Sequence, residues 1–411
     1  MQIKLCQSSA MEYTVTMSKQ PKNISSDLRG LGQLSINAVK GVTKVVESLH
    51  STISQYTPIL GNPKQETTGL TGMVYKSING VTHLLGEGID AILKKTSQFQ
   101  GDYTGEHKLS PAREAVAAAM NGMLGDHFDN EDNPLAISMS FRQDGKTLSQ
   151  QQLVELFENA TNKVTILIHG LCMNDLQWSR DGHNHGQQIA EDLDHTVIYL
   201  HYNTGLHVSE NGRQLSQLLH DIEQTKNKDL SLNVVAHSMG GLLIRSACYY
   251  AKESDYGWLS NLDKIIFLGT PHHGALLAKG GHWADILLQI SPYSAPFAKI
   301  TKVRSSGLTD LRHGYIIDQD WQNTDKRNIV PLPENINCYV IATTSSDKES
   351  SKLANTVVGD GLVTLNSALG IHKEASLAFS KDNQWIGRNI NHMQLLSDQQ
   401  VYGVIKNWLY A

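Results

Sequence analysis

The stretch VVAHSMGG, residues 234–241, sets Ser238 between a run of β-branched residues and a pair of glycines. A buried strand that reverses into a helix leaves the residue at the bend exposed, and small neighbours let the two segments pass closely. Ala236 and Gly240, two positions to either side, give the small-x-Ser-x-Gly spacing of a nucleophile elbow, with alanine where glycine is usual. A helix beginning at Met239 would aim its free N–H groups at the bend and favour negative charge there. Serine is a weak nucleophile until a base takes its proton and a third group orients that base. The chemistry to look for is therefore acyl transfer, and its partners are a histidine and a carboxylate.

In a strand-turn-helix sheet those partners follow the serine in the order acid, then histidine, after later strands. That order cuts the 18 histidines sharply. Behind the last strand-like run the carboxylates early enough are Asp347 and Asp360, and beyond Asp360 only His372 and His392 remain. Asp347, in TSSDKESSK, reads as a solvated loop. Asp360, in VVGDGLVTLNSA, sits between two glycines with apolar residues to anchor the turn. His392 precedes a terminal helix that Ser397 or Asp398 can cap, where a base can lean over the serine; His372 fits a surface helix end. A developing oxyanion needs N–H donors. The first is the backbone of Met239 and the second is that of Leu171, freed where VTILIHG ends, with Cys172 as the fallback and His169 as a structural spacer.

These residues need a scaffold, and the hydrophobic pattern supplies one. VTILIHG (164–170), HTVIYLHYN (195–203), LSLNVVAHS (230–238), DKIIFLGT (263–270) and INCYVIATT (336–344) are apolar, β-branched runs mostly separated by helix-length segments. Such alternation predicts an α/β chain with a mainly parallel sheet covered by helices, its functional loops at the carboxyl ends of the strands. After Pro111 comes a short alanine-rich helix, and LAISMSF then alternates as a first, exposed strand before Asp144-Gly145 turns the chain. Upstream, apolar residues at Val39, Val42, Val46, Leu49 and Ile53, and again from Leu70 to Ile92, predict a helical hairpin within residues 1–110. The expected division is this N-terminal region and a catalytic domain over 111–411, with a cap inserted at about 272–335.

The pieces HGL (169–171), AHSMGG (236–241), LGTPHHGA (268–275), GDGLVTLNSA (359–368) and INHMQLLSD (390–398) resemble the α/β-hydrolase superfamily, in particular its lipase- and esterase-like members. GDGLV and NH are similar to the corresponding elements of PGAP1-like and bacterial triacylglycerol lipase-like hydrolases. The resemblance covers residues from about 160 onward. It implies the α/β-hydrolase fold, with Ser238 as nucleophile, Asp360 as acid, His392 as base, and Leu171 with Met239 as the oxyanion hole. It also implies a carboxylic ester substrate, a small molecule or a lipid; thioester, amide and acyl-transfer chemistry use the same triad, and a non-catalytic binding homologue keeps the same fold. Where TPHHGA leaves the sheet to build a cap, Trp283, Leu287, Tyr293 and Phe297 are candidates for the wall of an acyl pocket.

The 411 residues carry a net charge of −5 without a long single-sign block, so no field collects nucleic acid. Four scattered cysteines form no C-x-x-C pair and are expected to be reduced. No cofactor is expected. His183 and His185 have a spacing found in metal sites but lack a third ligand, so no metal is expected either. The first residues lack a signal-peptide core, which predicts a cytoplasmic protein; its N-terminal helices offer a face for a membrane surface or for self-association.

Overall fold

The six strands expected from the sequence meet edge to edge in one sheet of the computed structural model, and two more join them. The structure describes residues 111–225, 230–275, 304–322, 328–345, 359–373 and 376–411. The expected N-terminal hairpin lies outside the described residues, as do Asp347, Trp283, Leu287, Tyr293 and Phe297.

The alanine-rich segment forms a longer helix than its composition suggests, α1 (Pro111–Asn130). A hairpin follows, β1 (Ser140–Gln143) and β2 (Lys146–Thr147), turned by Asp144 and Gly145 at φ 50° and 74°. LAISMSF thus contributes strand only at its end. Its first half is claimed by Asn121 of α1, whose amide donates to the Leu135 carbonyl and accepts the Ile137 N–H. A side chain on a packed helix outcompetes the sheet for those backbone groups.

Helix α2 (Gln150–Asn159) opens on a capping box formed by Ser149 and Gln152. Then come β3 (Lys163–Ile168), α3 (His185–Leu193), β4 (Thr196–His201), α4 (Val208–Thr225), β5 (Ser231–His237), α5 (Met239–Glu253) and β6 (Leu262–Leu268). After β6 the described residues resume with α6 (Ser306–His313) and α7 (Asp318–Gln322), and then β7 (Asn337–Thr344), α8 (Leu365–Ala368), β8 (Gln384–Arg388) and α9 (Gln399–Tyr410).

The sheet order is β2-β1-β4-β3-β5-β6-β7-β8, with β1 antiparallel to β4 and the strands from β4 to β8 mutually parallel. Consecutive residues of β3, β5 and β6 are buried, as strands covered on both faces require. Helix α4 packs on α5 and α9 on α3, completing an α/β-hydrolase fold. Strand β8 was not evident in the sequence: QWIGR has no apolar alternation, because this edge strand buries little besides Gly387 and leaves Ile386 exposed.

The turn from β5 into α5 is possible only because Gly240 lacks a side chain. A Cβ there would lie 2.6 Å from the Ile168 carbonyl oxygen and 2.8 Å from that of His169, backbone atoms that have nowhere to swing. Gly240→Ala is expected to cost about 1–3 kcal/mol through this overpacking, read as a lower thermal midpoint; an unchanged midpoint would show that the contact is not tight.

Candidate active site

Ser238 sits at the junction of β5 and α5 with φ 54° and ψ −120°, a backbone conformation that costs a non-glycine residue about 1–3 kcal/mol. Two hydrogen bonds hold it there. Its N–H donates to the Leu268 carbonyl (2.8 Å), and its own carbonyl accepts the Gly241 N–H (3.0 Å). Its hydroxyl makes no capping bond to α5, although serine at this position ordinarily would. It lines a cleft of about 380 Å³, counting the open mouth, together with Gly170, Leu171, His237, His392 and a set of apolar side chains.

Asp360 lies in the loop after β7 and His392 in the loop after β8, and the two are joined twice. His392 Nδ1–H donates to Asp360 Oδ2 at 2.6 Å, and the His392 N–H donates to the Asp360 carbonyl at 3.0 Å. The other carboxylate oxygen accepts the N–H groups of Leu362 (2.9 Å) and Val363 (2.8 Å), so the turn that carries Asp360 also aims it. Both side chains are buried. With Nδ1 committed to the carboxylate, His392 keeps Nε2 as its acceptor, and the residue lines the same cleft as Ser238.

The loop after β3 runs along the other side of Ser238. A Cβ on Gly170 would come within 3.0 Å of the Ser238 Cβ, so glycine lets this backbone pass at van der Waals distance. Leu171 lines the cleft. Cys172 follows at φ 57°, and its N–H donates to Thr204 Oγ1 at 3.1 Å, which engages the fallback donor elsewhere. Met239 is the first residue of α5, so its N–H has no acceptor within the helix; its side chain is fully buried, with Cε against Gly307. Further along the loop, Asp175 Oδ1 accepts from Arg142 Nη1 at 3.0 Å, and the same nitrogen donates to Glu114 of α1 at 2.9 Å. The rest of the cleft is apolar: Met173, Pro271, Ala275, Leu311, Leu362, Val363 and Met393. Leu311 comes from α6, part of the segment between β6 and β7 where the cap is expected.

Two buried histidines hold the His392 loop: His237, which sequence reasoning did not weigh, and His185, which it weighed only as a metal ligand. His237, directly before Ser238, donates from Nε2 to the His392 carbonyl at 3.1 Å. His185 donates from Nε2 to the Leu395 carbonyl at 2.9 Å, accepts at Nδ1 from His183 (2.7 Å), and His183 accepts in turn from Gln399 (3.0 Å). A carbonyl only accepts, so this chain has one polarity and both imidazoles are neutral. His183 and His185 thus bond each other, and among the described residues no three metal-binding side chains converge. The clue to His237 was its place beside the serine; His185 offered none, since its acceptor lies 210 residues away. His169 is fully buried, stacked on Tyr202 at 4.5 Å. His372 lies on an exposed loop, its N–H donating to Ser376, and is not among the cleft residues.

A family model described as a domain of unknown function (DUF7379) matches residues 135–302, a span that contains Gly170, Leu171 and Ser238 and stops before Asp360 and His392. No curated protein matches the sequence. Among solved structures, the chain is similar to the lipase BlEst2 of Bacillus licheniformis in mature form (18% identity, 60% of this chain and 91% of that one, TM-score 0.41). It is also similar to the NocB thioesterase domain (11%, 61% and 96%, TM-score 0.37) and to phospholipase PlaB from Legionella pneumophila (16%, 50% and 45%, TM-score 0.35). Among the described residues, no helix is long and apolar enough to cross a membrane.

Burial pushes His169 down to about 4 and His185 down to about 3, and burial together with the neighbouring His392 holds His237 well below the usual histidine range. Unfolding exposes all three, and an exposed histidine takes up a proton below about pH 6.5. The unfolded chain then binds more protons than the folded one, so stability falls as pH drops from about 6.5 toward 4, by about 1.4 kcal/mol per pH unit for each histidine that protonates only on unfolding. His207 works in the opposite sense: burial pulls it down, but the hydrogen-bonded Asp310 carboxylate, together with the charges of Glu210 and Asp126, raises it. The urea midpoint is expected to decrease steadily between pH 7 and pH 5, and a flat midpoint would mean that the folded state already accepts these protons.

Proposed function

We propose that the protein is a serine hydrolase of carboxylic esters that works through an acyl-enzyme. The observation that carries this reading is the doubly bonded Asp360–His392 pair, whose histidine lines one cleft with Ser238, a residue whose strained turn leaves its hydroxyl unused for capping. In the first step His392 Nε2 takes the Ser238 proton as Oγ attacks the ester carbonyl. The N–H groups of Leu171 and Met239 receive the negative charge on the former carbonyl oxygen. The tetrahedral intermediate then collapses, the C–O bond to the alcohol breaks, and the imidazolium returns its proton to the departing alkoxide. Water, deprotonated by the same imidazole, attacks the acyl-serine; collapse releases the carboxylic acid, and Ser238 regains its proton. Asp360 holds the imidazole in the tautomer that this needs and stabilises its cation.

The apolar lining favours an uncharged acyl group, because a buried carboxylate or phosphate there would find no counter-charge among the described lining residues. The substrate is accordingly a neutral ester, whether small molecule or lipid. Thioester or amide cleavage would use the same groups, and no feature of the cleft favours them.

The test is hydrolysis of p-nitrophenyl esters of graded chain length. Ser238→Ala and His392→Ala are each expected to lower kcat by about 10,000-fold or more. Asp360→Asn, which leaves the shape intact but disturbs the tautomer, should lose about as much. Undiminished turnover by Ser238→Ala would remove the serine from the reaction.

A further inference from the structure

We propose that Tyr202 and Thr204 are positioning residues that clamp the backbone on both sides of Leu171 and so hold its N–H toward the cleft. The inference rests on the serine hydrolase reading above and says what makes its oxyanion site rigid. Strand β4 lies beside β3 in the sheet, so the residues that follow β4 run alongside the loop that follows β3. From that neighbouring segment two side chains reach across. Tyr202 Oη–H donates to the His169 carbonyl at 2.9 Å, and its ring stacks on the His169 imidazole at 4.5 Å. Thr204 Oγ1 accepts the Cys172 N–H at 3.1 Å. The two bonds engage the carbonyl two residues before Leu171 and the N–H one residue after it.

Both clamps are buried, and the segment that bears them is itself tied down. Asn203 Oδ1 accepts the Gly205 N–H (3.0 Å), Asn203 Nδ2 donates to the Gly125 carbonyl of α1 (2.9 Å), and the Asn203 carbonyl accepts from Asn211 of α4 (2.9 Å). The Gly205 carbonyl accepts the Gly307 N–H of α6 at 3.0 Å. Three helices thus fix the bar from which Tyr202 and Thr204 act. Cys172 needs such a restraint, since φ 57° is a left-handed conformation unfavourable for a residue with a side chain. The Thr204 bond also decides between two successive N–H groups: it engages Cys172 and leaves Leu171 as the donor for the oxyanion.

The decisive experiment compares the full-length wild type with Thr204→Val, Thr204→Ser and Tyr202→Phe, with turnover expressed per active site after fluorophosphonate labelling to completion. Thr204→Val keeps the shape without the acceptor; Tyr202→Phe keeps the ring without the donor. Loosening the donor should lower kcat per labelled site by about 10- to 100-fold in Thr204→Val and about 10-fold in Tyr202→Phe. KM should change by less than about threefold, because the lost interaction belongs to the transition state. Thr204→Ser, which keeps the hydroxyl, should recover most of the rate. A purely structural role would instead lower the labelled fraction or the thermal midpoint at unchanged turnover per site, and that result overturns the proposal. If Thr204→Val does not fold, Tyr202→Phe decides by the same criterion. Ser238→Ala separates the two levels: full activity in that variant defeats the hydrolase reading and this proposal together, whereas an inactive Ser238→Ala alongside wild-type turnover per site in the other variants defeats the clamp alone.

Discussion

The interaction on which the site depends is the double attachment of His392 to Asp360, one bond between side chains at 2.6 Å and one between backbones at 3.0 Å. A single side-chain bond lets an imidazole swing about the carboxylate; a second bond through the backbone fixes the Cα from which the ring hangs. The pair bridges two loops, so the spacing of β7 and β8 sets its position. The rest of the cleft, apart from Leu311 of α6, is delivered in the same way. Residues from the carboxyl ends of β3, β5, β6, β7 and β8 meet there because parallel strands end on one side of the sheet, and the registers between neighbours set the separation of the loops.

The donors that restrain the His392 loop are neutral imidazoles, and their neutrality has a physical use. His237 lies 4.7 Å from the His392 ring, centroid to centroid, in a buried environment. In the proposed mechanism His392 becomes a cation when it takes the serine proton. A charged His237 at that distance would oppose it, whereas a neutral one donates to the loop carbonyl without adding charge. Burial keeps it neutral, so the packing that places the donor also protects the charge change in the base. The His183–His185 chain supplies a second neutral donor three residues further on, at the Leu395 carbonyl.

What the sequence made legible was local. Five β-branched runs announced five parallel strands, and the small-x-Ser-x-Gly spacing announced the turn at Ser238, because each depends on residues next to one another. The chain order of Ser238, Asp360 and His392 made them candidates, and the fold brings the three to the same end of the sheet. What depended on distant neighbours was illegible. Strand β8 exists because β7 offers it an edge, not because QWIGR carries a strand pattern. The first half of LAISMSF leaves the sheet for Asn121, some fifteen residues away. Tyr202 reads as the tail of a strand and Thr204 as the residue just past it until β3 and β4 are seen side by side, and only then do their hydroxyls acquire partners.

The same reasoning accounts for the alanine where an elbow usually has glycine. Ala236 lies within β5, in register with Ile168 of β3 on one side and Phe267 of β6 on the other, and is fully buried. The closest approach of helix to strand falls four residues later: it is Gly240 whose missing side chain admits the Ile168 and His169 carbonyls. The elbow must therefore lack a side chain on its helical arm, while its strand arm accommodates a methyl. There a glycine would bring the loss of about 0.5–1 kcal/mol that the residue carries inside regular structure, with no crowding to relieve in return. Alanine at 236 marks which arm of the turn bears the steric constraint.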